Sequence, residues 1–185
     1  MDPYLHCVWH HCSYAGEKMR QPDDFYCTPD WCIDLLFNKV PLPPSKILEP
    51  CAGSGAIKSK LLHHGHTVDS FEIDSDRALQ SQSTCADFLK QESKKEYDYI
   101  VTNPPYKFAF EFVKKGLEFA PISIYLLRLS FLESGTRKEF LQQYTPDVYV
   151  LSKRPSFVNG RTDSCAYAWF VFYDKPRSDG KVVVV

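Results

Sequence analysis

The sequence predicts an α/β fold in which helices cover both faces of a mainly parallel sheet. Three observations carry that expectation. From Lys46 onward, short runs of β-branched and aromatic residues alternate with helix-period segments. The first run passes straight into a glycine turn, and a later one ends in Asn103-Pro104-Pro105-Tyr106. Strands that alternate with helices pair in parallel through crossovers and are buried on both faces. In such sheets ligands bind beyond the carboxyl ends of the strands, where the connectivity reverses. Both marked turns are expected at that edge.

The elements follow in order. Thr28 reads as an N-cap and Pro29 as the first helical residue of a helix over Asp30 to Asn38, whose apolar positions are Trp31, Ile33, Leu35, Leu36 and Phe37. Pro41, Pro43 and Pro44 end that helix in a stiff connector. Lys46 to Glu49 is a short strand, and Ala56 to His64 a helix closed by Gly65. Thr67 to Ile73 reads as strand, Ser75 to Gln82 as a short helix and Tyr97 to Thr102 as a buried strand. Lys107 to Phe119 is an amphipathic helix and Ser123 to Leu129 a strand. A helix over Ser134 to Gln143 precedes strands at Asp147 to Leu151 and Tyr167 to Tyr173. Residues 1–24 are irregular and read as an N-terminal arm, leaving 25–185 as one domain.

The bulk numbers restrict the function. A chain of 185 residues with 44% hydrophobic content suits one globular domain. Its longest near-apolar stretch, Ile122 to Leu132, is interrupted by Arg128 and falls short of the roughly 18 residues that span a bilayer. Without a secretory pattern at its start, a cytoplasmic protein with no membrane association is expected. The seven cysteines are an odd number and scattered, which favours reduced thiols. Cys7, His10, His11, Cys12, Cys27 and Cys32 offer metal-ligand types, but both Cys-x4-Cys spacings are looser than a zinc knuckle, so no metal is expected. Net charge is −1, yet residues 1–100 carry 10 Lys and Arg against 15 Asp and Glu, while 101–185 carry 12 against 8. That split could place a phosphate-binding surface on one side of the molecule.

The segment Glu49-Pro50-Cys51-Ala52-Gly53-Ser54-Gly55 leaves a strand, turns through Gly53 and Gly55 and enters a helix. Such a turn lets a ligand approach the backbone closely, but alone it is common. It lacks the third glycine of the dinucleotide fingerprint, and an acidic residue precedes it. Glu49 would repel a pyrophosphate and suits the cationic amino-acid end of S-adenosylmethionine. Glu72, about twenty residues on at the end of the next strand, is placed to hold ribose hydroxyls. Ile73 could pack on the adenine ring, and Asp87 and Phe88 could meet its amino group and edge. Taken singly, each carboxylate could equally be a solvated surface group.

Asn103-Pro104-Pro105-Tyr106 points to transfer onto an amine. An Asn side-chain oxygen and the Pro104 carbonyl can accept the two hydrogens of an aromatic amino group, drawing its lone pair out of conjugation. The two prolines fix those acceptors in advance, and Tyr106 offers a ring for stacking. A strong general base is unnecessary, because methylation itself makes the nitrogen acidic.

On these residues the chain resembles the amino-methyltransferases, and most closely the phage-type and bacterial DNA N6-adenine methyltransferases. The resemblance covers roughly residues 25–175 and includes Phe25-Tyr26-Cys27-Thr28-Pro29, Glu49 to Gly55, Phe71-Glu72-Ile73-Asp74, Ala86-Asp87-Phe88-Leu89, Asn103 to Tyr106 and Leu151 to Phe157. It implies a class I, Rossmann-like methyltransferase fold with a seven-stranded, mainly parallel sheet and an antiparallel last strand. It further implies that Tyr26, Thr28 and Pro29 contact the cofactor alongside Glu49, Pro50, Cys51, Ala52, Gly53, Gly55, Glu72, Ile73, Asp87, Phe88 and Asn103, with Asn103, Pro104, Pro105 and Tyr106 at the reaction centre. The implied partner is DNA. A base inside a duplex must flip out to reach Asn103, with Tyr106, Lys107, Lys153, Arg154 and Phe157 as contacts and Arg137, Lys138 and Arg161 as further phosphate partners. Each of these cations could instead be ordinary surface charge, and Phe157 could stack opposite Tyr106 or pack in the core. The chain is too short for a separate target-recognition domain. Recognition is therefore expected to be short, relaxed or supplied by a partner, either a recognition protein or a second copy in a homodimer. RNA adenine, cytosine N4 and a protein glutamine amide are alternative acceptors.

Overall fold

The α/β alternation begins at a proline-rich connector. Strand β1 (Lys46–Glu49) follows it, and the chain then passes through α2 (Ala56–His63), β2 (Thr67–Glu72), α3 (Ser75–Gln80), β3 (Thr84–Cys85) and β4 (Tyr99–Thr102). It continues through α4 (Ala109–Phe119), β5 (Ile122–Arg128), α5 (Lys138–Gln143), β6 (Asp147–Val150), β7 (Tyr167–Tyr173) and β8 (Val182–Val184), with α1 (Asp30–Lys39) ahead of β1. The structure, a computed structural model, describes residues 26–93, 95–157 and 164–185. The N-terminal arm, with Cys7, His10, His11 and Cys12, as well as Phe25 and Arg161, lies outside the described residues, whereas Cys27 is exposed and Cys32 buried. Among the described residues no helix is long and apolar enough to cross a membrane, and no group of three or more His, Cys, Asp or Glu side chains could hold a metal ion.

The strands form one sheet in the order β3-β2-β1-β4-β5-β7-β6-β8. β1 pairs in parallel with both β2 and β4, and β4 in parallel with β5. β7 runs antiparallel to both neighbours, opposing β5 from Ile122–Tyr173 to Arg128–Tyr167. The strands expected at Asp147 and Tyr167 are therefore antiparallel neighbours. The sheet exceeds the expected seven strands because the segment after β7 returns as β8, parallel to β6. Asp147 anchors that return by accepting from the Lys181 N–H at 3.1 Å and the Tyr173 hydroxyl at 3.0 Å and by pairing with Arg177 at 3.3 Å.

Period-2 alternation along the strands supplies two cores, one on each face. Leu48, Ile100, Tyr125, Leu127, Phe170 and Phe172 face α4, which contributes Phe112 and Val113. Their neighbours Ile47, Val101, Ile124, Leu126, Trp169 and Val171 face α1 and α2, meeting Ile33, Leu36, Ile57 and Leu61. Burial of each such side chain favours folding by roughly 1.5–3 kcal/mol. The polar ends that enter these cores are satisfied: Trp169 Nε1 donates to the Cys32 carbonyl at 2.8 Å and the Tyr125 hydroxyl to the Phe112 carbonyl at 2.9 Å.

Two boundaries differ from expectation in ways that matter for the site. α1 starts at Asp30 with Pro29, not Thr28, in the capping position, and no side chain caps it. Thr28 is buried and its hydroxyl is used elsewhere. After β4 the chain makes a 3-10 turn over Tyr106–Phe108, closed by the Phe108 N–H donating to the Pro105 carbonyl at 2.9 Å, before α4 begins at Ala109.

Candidate active site

The connectivity reverses between β1 and β4. From β1 the chain moves outward to β2 and β3, then returns to lay β4 on the opposite side of β1. Loops leaving the carboxyl ends of these two strands diverge and open a crevice. Glu49 ends β1 and Asn103 directly follows β4, so the two segments singled out in the sequence meet here. The cavity is lined by Tyr26, Cys27, Thr28, Glu49, Cys51, Ala52, Gly53, Ser54, Ala56, Ile57, Glu72, Ile73, Arg77, Asn103 and Pro105.

The glycine turn works as the sequence suggests. Gly53 and Gly55 adopt φ of 55° and 86°, a region L side chains avoid. A Cβ at Gly55 would also lie 3.1 Å from the Ser81 side chain, so this glycine serves packing as well as conformation. Gly55 immediately precedes α2 and lets the chain swing from β1 into that helix.

Two carboxylates face the cavity in different states. Glu49 is 1% exposed, and its Oε2 is buried without a hydrogen-bond partner. Burial pushes its carboxyl well above the usual carboxylate range, and the backbone and ammonium of Lys58 only partly offset that. An unpaired buried acceptor at a cavity wall suits a cationic ligand group. Glu72, at 2% exposure, is occupied: Oε2 accepts from the Gly53 N–H at 2.7 Å and Oε1 from the Asp74 N–H at 3.0 Å. Oε1 also meets Arg77 Nε and Nη2, each at 3.3 Å. An ionised carboxylate has about four acceptor sites, so Oε1 is saturated and Oε2 retains one for a ligand hydroxyl. Glu72 therefore ties the glycine loop to the end of β2 as well as facing the cavity. Ile73, next along, is 64% exposed and free to cover a ring.

The Asn103 amide is held on one side only. Its Nδ2 donates to the Tyr26 carbonyl at 3.3 Å and to Thr28 Oγ1 at 3.1 Å, while Oδ1 is buried with no partner. A carbonyl can only accept, so the NH2 must face Tyr26, and Oδ1 is the end left open. Asn103 and Pro105 line the first cavity, whereas Tyr106 lines a second with Lys107, Phe110, Glu111, Leu127, Arg128, Ser130, Phe131, Thr136 and Arg137. The loop is thus the wall between the two. The Tyr106 ring stacks with Tyr26 at 6.0 Å, tilts against Tyr167 at 5.6 Å and lies under the Arg128 guanidinium at 4.8 Å. Its hydroxyl has no hydrogen bond of ordinary geometry, and burial, reinforced by Tyr167, holds it protonated well beyond the usual phenol range.

Several predicted contacts lie elsewhere. Phe88 is 2% exposed in the α4-side core, 5.4 Å from Phe112 and 5.0 Å from Phe119, so it is unavailable to a ligand. Asp87 does not line the cavity; it accepts from the Leu89 N–H at 3.0 Å, capping the turn that buries Phe88, and pairs with Lys90 at 3.3 Å. Phe157 does not oppose Tyr106 directly: it packs on Tyr26 at 5.6 Å and Tyr167 at 5.1 Å, with Tyr26 between it and Tyr106. Lys153 sits 5.5 Å over the Trp31 ring, and Arg154 is exposed beside it. Pro50 and Pro104 are buried and their side chains do not line the cavity, and Pro29 precedes α1 without lining it. Lys107 is exposed at the second cavity. Sequence reasoning missed Cys27, Ser54, Ala56, Ile57 and Arg77. Arg77 had a signal, since a cation on the first turn of α3 can reach back to a carboxylate at the preceding strand end.

No family model matches the chain. Over 63 residues it is 36% identical to the Type II methyltransferases M.HincII and M.HindII of Haemophilus influenzae; the stretch is 34% of this chain and 12% of those proteins. The fold is similar to that of a dimethyladenosine transferase from Plasmodium falciparum, at a TM-score of 0.59 and 14% identity over 83% of this chain and 63% of that one. The 23S rRNA methyltransferase ErmE gives 0.59 and 16% over 84% and 71%. A modification subunit ascribed to a type I restriction enzyme of Vibrio vulnificus gives 0.61 and 15% over 85% and 45%. With the β3-β2-β1-β4-β5-β7-β6 order and the reversed β7, the chain has the class I, S-adenosylmethionine-dependent methyltransferase fold.

Proposed function

We propose that this chain transfers a methyl group from S-adenosylmethionine to an exocyclic amine, with N6 of adenine in DNA as the acceptor. The observation that carries the reading is the Asn103 amide, whose Oδ1 is a buried acceptor without a partner at the wall between two cavities. Leaving such an atom unpaired costs about 1–3 kcal/mol, and an incoming amino hydrogen would recover it. The first cavity carries groups that suit the donor: Glu49 Oε2 is open for its ammonium, Glu72 Oε2 for a ribose hydroxyl and Ile73 for its adenine ring.

The donor supplies a methyl group on a sulfonium, which leaves as a neutral thioether. Asn103 Oδ1 and the Pro104 carbonyl accept the two amino hydrogens, so that the nitrogen lone pair is released from the ring. Pro104 and Pro105 hold these acceptors in place before the amine arrives. One amino proton is lost to solvent after the new N–C bond forms, which needs no buried base. Tyr106 provides the stacking face, and Lys107 and Arg128 put positive charge beside it. The match to Type II methyltransferases and the likeness to a restriction-enzyme modification subunit favour DNA. Incubation with methyl-labelled donor and DNA, digestion to nucleosides and mass spectrometry tests this. N6-methyladenine is expected. Label in RNA alone, in cytosine N4 or in protein glutamine would each replace the acceptor named here.

A further inference from the structure

We propose that Thr28 is a positioning residue that sets the orientation of the Asn103 amide; the consequence for catalysis rests on the amine-acceptor reading above. The sequence reads Thr28 as a helix cap and the family resemblance implies a cofactor contact; in the structure its hydroxyl also engages Asn103. Thr28 is 5% exposed and its Oγ1 lies 3.1 Å from Asn103 Nδ2. The Tyr26 carbonyl, 3.3 Å from the same nitrogen, takes the other amide proton. Two acceptors on one NH2 group fix both the flip and the rotation of the amide plane. Oδ1 is then aimed by elimination, and it is the atom left without a partner.

The cost is visible in the fold. α1 begins with no side-chain cap, although a threonine stands one residue before its Pro29 capping position. Where a local rule is broken beside an unpartnered buried acceptor, a functional use is the expected compensation. The arrangement also joins the two halves of the site, because Tyr26, Cys27 and Thr28 line the donor cavity together with Asn103. The segment that meets the donor is the one that orients the acceptor.

The test compares Thr28→Val, which keeps the shape and removes the oxygen, with Thr28→Ser, which keeps the oxygen. Selective 15N-asparagine labelling reports the Asn103 side-chain NH2 directly, and the remaining spectrum reports the fold. Thr28→Val is expected to shift those signals, remove their exchange protection and lower kcat by roughly 10- to 100-fold, the scale of a small misplacement at a reacting centre. Donor affinity by calorimetry should fall by much less than the rate, and Thr28→Ser should restore signals and rate. Unmoved Asn103 signals in a folded Thr28→Val protein overturn the proposal, as does a rate loss matched by an equal loss of donor affinity. Asn103 signals that respond as expected, in a wild-type protein that methylates no amine, would sustain the Thr28 contact and remove the acceptor reading instead.

Discussion

Glu72→Ala is expected to destabilise the protein as much as it weakens donor binding. The Glu72 carboxylate is 2% exposed and Arg77 21%, so their 3.3 Å contact is a largely buried pair. Breaking such a pair by deleting one partner costs about 3–5 kcal/mol. Here Asp74, 3.9 Å from the same guanidinium, retains part of the compensation, which places the loss near 3 kcal/mol. The freed Gly53 and Asp74 N–H groups belong to that figure and are not added to it, because deletion costs already include the groups left unpaired. Against a total stability of about 5–15 kcal/mol this is severe but survivable, and it corresponds to a Tm lowered by roughly 6–12 °C. Glu72→Gln keeps the volume but turns an NH2 toward donors, and should cost about 1–3 kcal/mol. Urea unfolding measures stability, and calorimetric titration with S-adenosylmethionine measures binding. A Glu72→Ala protein within about 0.5 kcal/mol of wild type, the range of an ordinary surface change, would refute the role of Glu72 as the tie between the glycine loop and β2.

Asn103→Ala is expected to abolish methyl transfer with donor affinity nearly intact, measured by label incorporation and calorimetry; equal loss of both would count against an acceptor role. Glu49 supplies a pH signature. Its folded-state pKa is raised by burial, so its contribution to stability is fully present below the unfolded value, about 4.3, and is lost as pH rises through the folded value. A bound ammonium favours the anion, so donor affinity should rise with pH across that window with release of a proton. Titration in buffers of different ionisation enthalpy would show that release, and Glu49→Gln should flatten the profile. Gly116→Ala probes the core alone: its Cβ would stand 1.8 Å from the hydroxyl of the fully buried Tyr125. Overpacking of about 1–3 kcal/mol should exceed the helix-propensity gain of about 1 kcal/mol. Adding Tyr125→Phe should recover stability in denaturant, and a neutral Gly116→Ala would contradict the packing.

What the sequence reveals of this molecule follows from how local each signal is. Strands β1, β4 and β5 and the α4 helix are legible because short apolar runs buried on both faces and a period-3.6 burial pattern are written within single segments. The Tyr167–Tyr173 strand matches its prediction to the residue, since six of its seven positions are buried and no shorter run fits. β8 is not legible: three valines at the end of a charged segment pair with β6 through backbone hydrogen bonds, flanked by the Asp147–Arg177 and Asp147–Lys181 contacts, all of which join residues distant in sequence. At the site, the glycine turn and Asn103 are legible as motifs, while their partners are not. Thr28 has the composition and spacing of a cap, and only tertiary contact reveals that its hydroxyl serves a residue 75 positions away. Phe88 shows the converse. Its neighbour Asp87 caps the turn that points the ring into the core, and no one-dimensional pattern distinguishes that from a ring turned toward ligand.

The strand order also turns a polarity in the sequence into a polarity in space. The first hundred residues carry the excess of carboxylates and the remainder the excess of cations. β4 is laid down at that boundary, so the strands of the first part, β1, β2 and β3, stand on one side of it and those of the second, β5 to β8, on the other. The first cavity presents Glu49 and Glu72 together with Arg77, and the second Lys107, Arg128 and Arg137 together with Glu111. A cationic sulfonium donor and a polyanionic acceptor make opposite electrostatic demands on sites only one loop apart. A single uniform field would repel one of them. The Asn103–Tyr106 loop stands where the two fields meet, and its proline backbone adds no N–H of its own at either Pro104 or Pro105. On the proposed reading, neutral reacting groups held rigidly between a cavity with two carboxylates and one with an excess of cations suit methyl transfer between two such partners.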